Sequence, residues 1–449
     1  MRTDEKLSKI RADFPITTRR FVAPDGETRH VIYLDHGAST QPPRTVLDHY
    51  YEFLDRYYAN IHRGRHYLSQ RSSDLFDEVG RIVMRFVGAD PEEKEIFFAP
   101  NTTGAIDIAA HLVSCEEGKT LVSDIEHHSN DLPHRRRSEV VRAPIALDGT
   151  LDHEAIERLL VEHNIKLVAV TGASNVTGYL PDIGRIARAA HAHGAQILVD
   201  AAQLLAHRQI VVGSSNDPEH IDFLAAAGHK AYSPFGAAFL LAPKKTCDTA
   251  APYLPGGGTV RFVSRDDVVW ATGHDRHVGG TPNIAGVIAL GRGLQWLEEI
   301  GLDWVEEHER ELGAFMFDGL SRIDGVTLLG DIPPEKRLGV ASFEVEGIDH
   351  AVASTILNNR FGIATRNGCF CAHPYLQHLL GMERVDLYAD ALRAGDDPDL
   401  PGAVRATIGI YNNHDDVEML LHAVRELRNH PEWASNVTVD QDLRCHDYA

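Results

Sequence analysis

Cysteine is scarce in this chain, which has five cysteines among 449 residues, and an excess of positive charge is lacking as well. The formal net charge is -21 at pH 7, so the summed field repels polyanions such as nucleic acid and anionic lipid. No run reaches the roughly 18 apolar residues of a membrane span, and residues 1–20 carry charges where a signal segment would be apolar. We therefore expect a cytoplasmic protein with no nucleic-acid partner and no membrane association.

In a reducing compartment the cysteines are expected to be thiols and not a disulfide framework. Cys369 and Cys371 lie one residue apart in RNGCFCAHPY, where a disulfide would close a strained ring. Their C-x-C spacing also differs from the C-x₂-C pair of structural zinc sites, so we expect no metal. The remaining cysteines sit in no motif and are expected to be structural or incidental: Cys115 in a helix, Cys247 and Cys445.

The length of the chain predicts more than one domain, and its 43% hydrophobic and 24% charged residues are ordinary for a globular enzyme. Apolar strand-like runs alternate with helical patterns from about residue 95 to 245. Apolar strands separated by helices favour an α/β fold with a largely parallel sheet covered on both faces. The runs are EIFFAP, KTLVSD, IKLVAVTG, QILVDAA, IDFLAAAG and AAFLLAP.

A smaller unit is predicted to follow this sheet. The pattern over 284–320 is strongly helical and leads out of the first unit. The acidic stretch 383–402 is expected to form a surface excursion. The strands of the second unit are predicted at VTLLG, GVASFEV, GIATR and VRATIGI, with helices at about 349–360 and over DDVEMLLHAVRELRN.

Two polar residues adjoin predicted strands. Lys230 lies in the small, apolar stretch AAAGHKAYSPFG, where an ammonium must be paired or lose its charge. A lysine that has to be neutral to form a Schiff base gains from that setting. Asp200 ends the run ILVD, at the carboxyl edge of the sheet where ligands bind in α/β proteins, although it could instead cap a helix.

The segment NTTGAIDIAAHL, residues 101–112, begins a helix directly after a strand. The free amides at such a helix start are a place for an anion. A Schiff-base lysine, an acid and a phosphate cradle are the protein partners of pyridoxal 5'-phosphate. Together these three features indicate that cofactor.

Seven motifs in this order resemble the class V, fold-type I pyridoxal-phosphate enzymes, and most closely the SufS-type (group II) cysteine desulfurases and selenocysteine lyases. The motifs are TTGAID, EHHSN, SNVTG, DAAQ, GHK, GGTPN and RNGCFCA. The resemblance runs from YLDHGAS at 33 to YNNHDD near 411. It implies a large cofactor-binding domain (33–290) with a mostly parallel seven-stranded sheet, a small α+β domain (291–449) with the cysteine loop, and an N-terminal segment (1–32) packed on the small domain.

The resemblance also implies a role for each motif residue toward the cofactor. Lys230 would carry the cofactor and then move the proton on the substrate Cα. Asp200 would pair with the pyridinium nitrogen and Gln203 with the ring hydroxyl, while His127 stacks on the ring. Asn175 would touch the ring or the substrate carboxylate.

For the phosphate, the resemblance implies Thr103 and His229 from the same chain and Thr281 from the neighbouring subunit of a homodimer with shared active sites. His62 and Arg63 match a segment that borders the active site across the same interface.

Two arginines and one cysteine match family positions at the substrate. Arg405 or Arg366 would clamp the substrate carboxylate bidentately, and Arg405 is the preferred choice. Cys371 would take the sulfur of L-cysteine, or the selenium of L-selenocysteine, and pass it to an acceptor protein or small molecule. A thiolate with a pKa near ambient pH suits that step. Three roles stay open for Cys369: a second sulfur carrier, a resolving thiol, or a small apolar residue that packs under the loop.

The chain departs from the family pattern at three places. Ala227 stands where the family often has a phosphate-binding serine, and Gly104 where desulfurases often have glutamate. Cys369 and Phe370 replace two histidines, and the resulting CFC also resembles molybdenum-cofactor sulfurases. Another class V reaction without a covalent role for Cys371, such as transamination, epimerisation or C-S lysis, and a catalytically silent scaffold therefore stay open as alternatives.

Overall fold

The computed structural model describes residues 2–382, 385–396, 398–437 and 446–447. Its helices are α1 (Arg2–Asp13), α2 (Arg44–Arg56), α3 (Tyr67–Phe86), α4 (Thr102–Leu112), α5 (Leu132–Arg137), α6 (His153–Glu162), α7 (Ile183–Ala192), α8 (Lys244–Thr249), α9 (Ile284–Ile300), α10 (Leu302–Ser321), α11 (His350–Phe361), α12 (His373–Leu379), α13 (Val385–Ala394) and α14 (His414–Asn429). Its strands are β1 (Arg20–Val22), β2 (Thr28–His30), β3 (Ile32–Tyr33), β4 (Lys94–Ala99), β5 (Lys119–Ser123), β6 (Val140–Ala143), β7 (Ile165–Thr171), β8 (Gln196–Asp200), β9 (Phe223–Ala227), β10 (Ala238–Pro243), β11 (Val260–Val263), β12 (Val268–Trp270), β13 (Val326–Leu328), β14 (Val340–Val345), β15 (Ile363–Ala364), β16 (Arg366–Gly368), β17 (Ala403–Thr407) and β18 (His446–Asp447).

The largest sheet in the described part of the chain has seven strands, in the order β4-β10-β9-β8-β7-β5-β6. The strands from β9 to β6 run parallel, whereas β10 is antiparallel to both of its neighbours. The prediction of a largely parallel, seven-stranded sheet is confirmed. All six predicted runs form strands of this sheet, and β6 joins them with a short sequence, VVRA, that carries no long apolar run.

Both faces of this sheet are buried, as the apolar strands require. In β7, Leu167 and Ala169 belong to the hydrophobic cluster that contains α4 residues such as Ile106. Val168 points the other way and belongs to the cluster that contains α7 residues such as Ile186. Successive side chains of a strand alternate between the two faces, so helices on both sides cover the whole strand.

The helical pattern over 284–320 forms two helices and not one. Gly301 ends α9 and begins α10 with a φ of 87°, in the left-handed region that glycine adopts without a steric penalty. This glycine lies inside the apolar periodicity, which is why the pattern alone predicts a continuous helix.

The C-terminal part contains a four-stranded antiparallel sheet in the order β13-β14-β17-β16. Helices α10, α11 and α14 share its hydrophobic cluster, through residues such as Met316, Ile356 and Leu420. The run GIATR is split, because β15 pairs in parallel with β3 while β16 pairs with β17. The boundaries at 32 and 290 stay predictions.

The N-terminal helix α1 contacts residues that the sequence predicts for the small domain. Arg11 Nη1 donates to Tyr411 O at 2.6 Å and pairs with Asp416 at 2.9 Å, while Lys6 Nζ donates to Ile300 O at 2.6 Å. Among the described helices, none combines the length and the apolar character that crossing a bilayer requires.

The remaining sequence predictions concern the acidic stretch 383–402 and the three cysteines outside the cysteine loop. The acidic stretch contains α13, with Leu387 53% exposed, and its residues 383, 384 and 397 lie outside the described residues, as does Cys445. Cys247 is buried. The expectation of a helix at Cys115 is wrong: α4 ends at Leu112, before the polar sequence SCEEGK, and Cys115 is exposed in a turn.

Candidate active site

A cavity of about 410 Å³ lies at the carboxyl ends of the parallel strands. This is the edge at which open α/β sheets bind ligands. It brings together most of the residues predicted from the sequence: Thr103, His127, Asn175, Asp200, Gln203, His229, Lys230, Arg366, Cys371 and Arg405.

Lys230 ends a short 3₁₀ turn, Gly228–Lys230, that directly follows β9. Thr40 anchors this turn, because its N–H donates to His229 O at 2.8 Å and its Oγ1 accepts from Tyr232 N at 2.7 Å. Burial lowers the pKa of Lys230 to about 8, although the Asp200 carboxylate opposes this shift. About one such amine in ten is therefore neutral at pH 7, far more than for a lysine with the ordinary pKa, and a Schiff-base lysine has to be neutral to react.

Asp200 is the last residue of β8 and is 4% exposed. Its Oδ1 accepts from Ala202 N at 2.9 Å, which closes a local turn. The helix-cap alternative is wrong, because the residues that follow form turns and not a helix. Burial raises the pKa of Asp200, with the Lys230 ammonium acting in the opposite direction. Gln203 Nε2 donates to Gly37 O at 2.7 Å, which fixes the amide at the cavity wall.

His127 lies in the turn after β5, on the way to α5. Its Nδ1 accepts from Ser129 N at 3.1 Å, so the hydrogen of the neutral ring is on Nε2. Burial, assisted by the Lys230 charge, lowers the pKa of His127 to about 3. A neutral imidazole at this position suits stacking against a flat heteroaromatic ring.

The start of α4 offers free polar groups to an anion. Asn101 caps the helix by accepting from Gly104 N at 2.9 Å, and Thr103 Oγ1 lies 2.7 Å from Ser129 Oγ. Thr102 Oγ1 is buried and lacks a hydrogen-bond partner in the described part of the chain. A phosphate at this helix start would supply the missing acceptor.

Sequence reasoning missed Asn101, Thr102 and Ser129 as cavity residues. All three stand inside or beside the quoted motifs TTGAID and EHHSN, so proximity to those motifs was the available signal. It also missed Asp35, whose position beside the two arginines depends on strand register.

Arg405 and Arg366 lie directly opposite each other on β17 and β16. Arg405 is 3% exposed, and its Nη1 donates to Asn175 O at 2.9 Å. Asp35 contacts both guanidiniums, at 2.8 Å from Arg366 Nη2 and 3.4 Å from Arg405 Nη2. Burial lowers the pKa of Arg405 to about 10, so it remains cationic at neutral pH.

The cysteine loop has a constrained backbone. Phe370 and Cys371 have φ values of 54° and 56°, in the left-handed region that is costly for side chains other than glycine. Three contacts hold the loop: Asn175 Nδ2 donates to Phe370 O at 2.7 Å, His128 N donates to Cys371 O at 2.7 Å, and Arg405 lies 4.9 Å from the Phe370 ring centroid. The exposed Cys371 thus reaches the cavity wall.

Cys369 is placed differently from Cys371. It is half-buried, packs against the large hydrophobic cluster and lines a separate small cavity beside His373. It does not line the cavity that contains Lys230. The packing interpretation of Cys369 therefore agrees best with its surroundings.

Three predicted residues, His62, Arg63 and Thr281, are not in this cavity. They line another cavity, of about 460 Å³, together with Phe76 and His274. His62 has a φ of 65° and its Nε2 lies 2.9 Å from Asp77 Oδ1.

Comparison with known proteins agrees with this geometry. A family model for the class-V aminotransferases matches residues 32–420. The chain belongs to the class-V aminotransferase family. Members of this family that are cysteine desulfurases depend on pyridoxal phosphate.

Relatives of this class-V protein are named as cysteine desulfurases. A probable cysteine desulfurase from Halalkalibacterium halodurans is 33% identical over 409 residues, which cover 89% of this chain and 94% of that protein. A cysteine desulfurase from Haloferax volcanii is 30% identical over 440 residues, covering 94% of this chain and 97% of that protein. The solved apo structure of a cysteine desulfurase from Thermococcus onnurineus NA1 matches with a TM-score of 0.81 at 31% identity, covering 94% of this chain and 98% of that one.

The residues of the cavity fit pyridoxal phosphate. The unpartnered Thr102 Oγ1 and the start of α4 suit the phosphate, and the buried Asp200 carboxylate suits a pyridinium nitrogen. Lys230, with its lowered pKa, suits the aldehyde carbon. When bound, the cofactor supplies an electron sink for charge that develops at the substrate Cα.

Proposed function

We propose that this class-V aminotransferase-family protein is a cysteine desulfurase in which Cys371 receives the sulfur of L-cysteine. The observation that carries the proposal is the exposed Cys371 thiol at the wall of the cavity that also contains Lys230 and Arg405. Overall, L-cysteine and the Cys371 thiol become L-alanine and a Cys371 persulfide, so a C–S bond breaks and an S–S bond forms. The relatives named cysteine desulfurases, at 30–33% identity over most of the chain, support this reaction.

Each residue of the cavity has a task in this proposal. Arg405, fixed by Asn175 O, binds the substrate carboxylate, and Arg366 adds a second, more exposed guanidinium. Lys230 Nζ moves the proton at the substrate Cα, a step that needs an amine with a pKa near ambient pH. His127 stays uncharged and covers the ring face.

The hydrogen bonds to the cysteine loop explain why Cys371 can act without a long mobile loop. Its backbone is tied to Asn175 and His128, so the thiol is already at the cavity when the substrate binds. L-selenocysteine is a close alternative substrate, because selenium occupies the same position on the same carbon chain. A reducing compartment such as the cytoplasm would keep this exposed thiol free, and an acceptor would then remove the sulfur.

We further propose a homodimer in which His62, Arg63 and Thr281 serve the site of the neighbouring subunit. These residues share a cavity that is separate from Lys230 within one chain. That separation agrees with a role across an interface.

The proposal is tested by measuring the products formed from L-cysteine in the presence of a thiol reductant. The wild type should release L-alanine and sulfide over many turnovers. Cys371→Ala should lose sustained alanine release, whereas the matched control Cys369→Ala should keep most of it, because Cys369 lies outside the cavity.

Two outcomes would refute parts of the proposal. Full sulfur transfer by Cys371→Ala would remove the assigned nucleophile. Formation of pyruvate or of another keto acid in place of alanine would favour a different class V reaction, such as transamination or C-S lysis.

A further inference from the structure

Phe370 stands immediately before Cys371 and lines the same cavity. Its side chain is 8% exposed and belongs to the large hydrophobic cluster. The ring also lies against a charged group, because Arg405 Cζ is 4.9 Å from the ring centroid. The neighbour of the proposed nucleophile therefore contacts the arginine that is proposed to bind the substrate carboxylate.

The contact between the Phe370 ring and Arg405 combines two kinds of interaction. A guanidinium over an aromatic ring is attracted by the ring quadrupole, and the attraction grows when the cation is shielded from water. Arg405 is shielded in this way, at 3% exposed. Its N–H groups are held at the same time, with Nη1 donating to Asn175 O at 2.9 Å and Nη2 lying 3.4 Å from Asp35 Oδ1. The ring thus adds a contact to one face of a guanidinium that hydrogen bonds and an ion pair hold at its edge.

The backbone of Phe370 determines where Cys371 points. Both residues have left-handed backbones, with φ values of 54° and 56°, and two such residues in succession persist only where their surroundings hold them. Asn175 Nδ2 donates to Phe370 O at 2.7 Å, and His128 N donates to Cys371 O at 2.7 Å. The buried Phe370 ring is a third anchor, so its packing contributes to keeping the thiol at the cavity wall.

Asn175 closes a triangle with Phe370 and Arg405. Its side chain donates to Phe370 O, and its own backbone O accepts from Arg405 Nη1. The three residues come from separate segments: the turn after β7, the cysteine loop after β16, and β17 itself. Because each member contacts the other two, a displacement of one is transmitted to the others.

We propose that Phe370 is a positioning residue that links the two functional ends of this cavity: its ring holds the Arg405 guanidinium, and its backbone holds Cys371 at the cavity wall. The residue touches neither bond that changes in the reaction. This inference rests on the proposed function, in which Arg405 binds the substrate carboxylate and Cys371 receives the sulfur.

The test measures the charge surrounding the Cys371 thiol in the holoenzyme, without substrate. Cys371 is alkylated in parallel with anionic iodoacetate and neutral iodoacetamide, and the ratio of the two rates is divided by the same ratio for the exposed Cys115. A thiol held near Lys230 and Arg405 favours the anionic reagent. Phe370→Leu keeps the apolar bulk and removes the ring face, so the normalised ratio should fall about fivefold. Phe370→Tyr keeps the ring face and should retain the ratio.

A second comparison tests the link to Arg405. Arg405→Lys keeps the positive charge and removes the planar guanidinium, so adding Phe370→Leu to it should change the ratio by less than about twofold. The matched control is Arg360→Lys, because Arg360 Cζ lies over the Trp433 ring at 4.0 Å and outside the cavity. In that background Phe370→Leu should keep its full effect of about fivefold.

Three results would overturn the role of Phe370. They are an unchanged ratio in Phe370→Leu, an equal fall in Phe370→Leu and Phe370→Tyr, and an equal effect of Phe370→Leu in the Arg405→Lys and Arg360→Lys backgrounds. The alkylation assay needs no turnover. A wild type that gives the expected ratios but forms no L-alanine from L-cysteine would therefore refute the proposed function and leave the link between Phe370 and Arg405 standing.

Discussion

The lowered pKa of Lys230 predicts how fast this amine reacts with a labelling reagent. Burial moves this pKa from 10.5 to about 8. At about pH 7.5, roughly one quarter of such amines are neutral, whereas an amine with a pKa of 10.5 is neutral in about one molecule in a thousand. Lys230 of the cofactor-free protein should therefore react with an amine-selective reagent roughly 200-fold faster than its pKa in the unfolded chain would allow.

The assay is competitive labelling across a pH series, with the Lys230 peptide quantified by mass spectrometry. The reference is the same peptide in urea-unfolded protein, which removes differences in intrinsic reactivity. The labelling midpoint should lie near 8 in the folded protein. In Asp200→Asn it should move lower, because the Asp200 carboxylate raises the pKa of Lys230.

A folded-state midpoint that coincides with that of the unfolded chain would refute the reasoning. An upward shift in Asp200→Asn would contradict the assigned direction of the Asp200 interaction.

Three further predictions concern the walls of the cavity. Gly37→Ala should raise the KM for L-cysteine by about tenfold, since its Cβ would lie 3.0 Å from Arg405 Cζ; an unchanged KM in steady-state assays would show that the arginine can shift freely. Asn175→Ala leaves Phe370 O without its 2.7 Å donor and should lower the free energy of unfolding by about 1–3 kcal/mol in urea titrations; an unchanged value would show that the loop does not depend on this bond. Burial raises the pKa of Glu126 to about 8, so the folded protein holds a proton that the unfolded chain loses and stability should fall from about pH 4.5 to 8. Glu126→Gln should flatten that pH dependence, and an unaltered slope would exclude Glu126 as its source.

The central sheet and its cofactor residues were predictable because their signals are local. Strands that are buried on both faces have continuous apolar runs in the sequence. Asp200 ends one of these strands, and Lys230 lies in the turn that follows another. The break at Gly301 was missed because an isolated glycine in an apolar helical pattern is compatible with one long helix.

Features that depend on strand register were not predictable. The position of Asp35 beside Arg366 and Arg405 depends on the pairing of β16 with β17 and on the path of the chain after β3, which no local pattern encodes. The left-handed backbone at Phe370 and Cys371 has no glycine or asparagine to signal it, since distant contacts hold it. The separation of His62 from the main cavity likewise follows from tertiary packing.

The proposed sulfur transfer to Cys371 is tested most directly by locating the transferred atom. The holoenzyme is mixed with L-cysteine without reductant, persulfides are trapped by alkylation, and the cysteine-loop peptide is sequenced by mass spectrometry. We expect one additional sulfur on Cys371 and none on Cys369, with L-alanine formed in equal amount. Additional sulfur on Cys369 alone, or alanine formation with no sulfur on the loop, would contradict it.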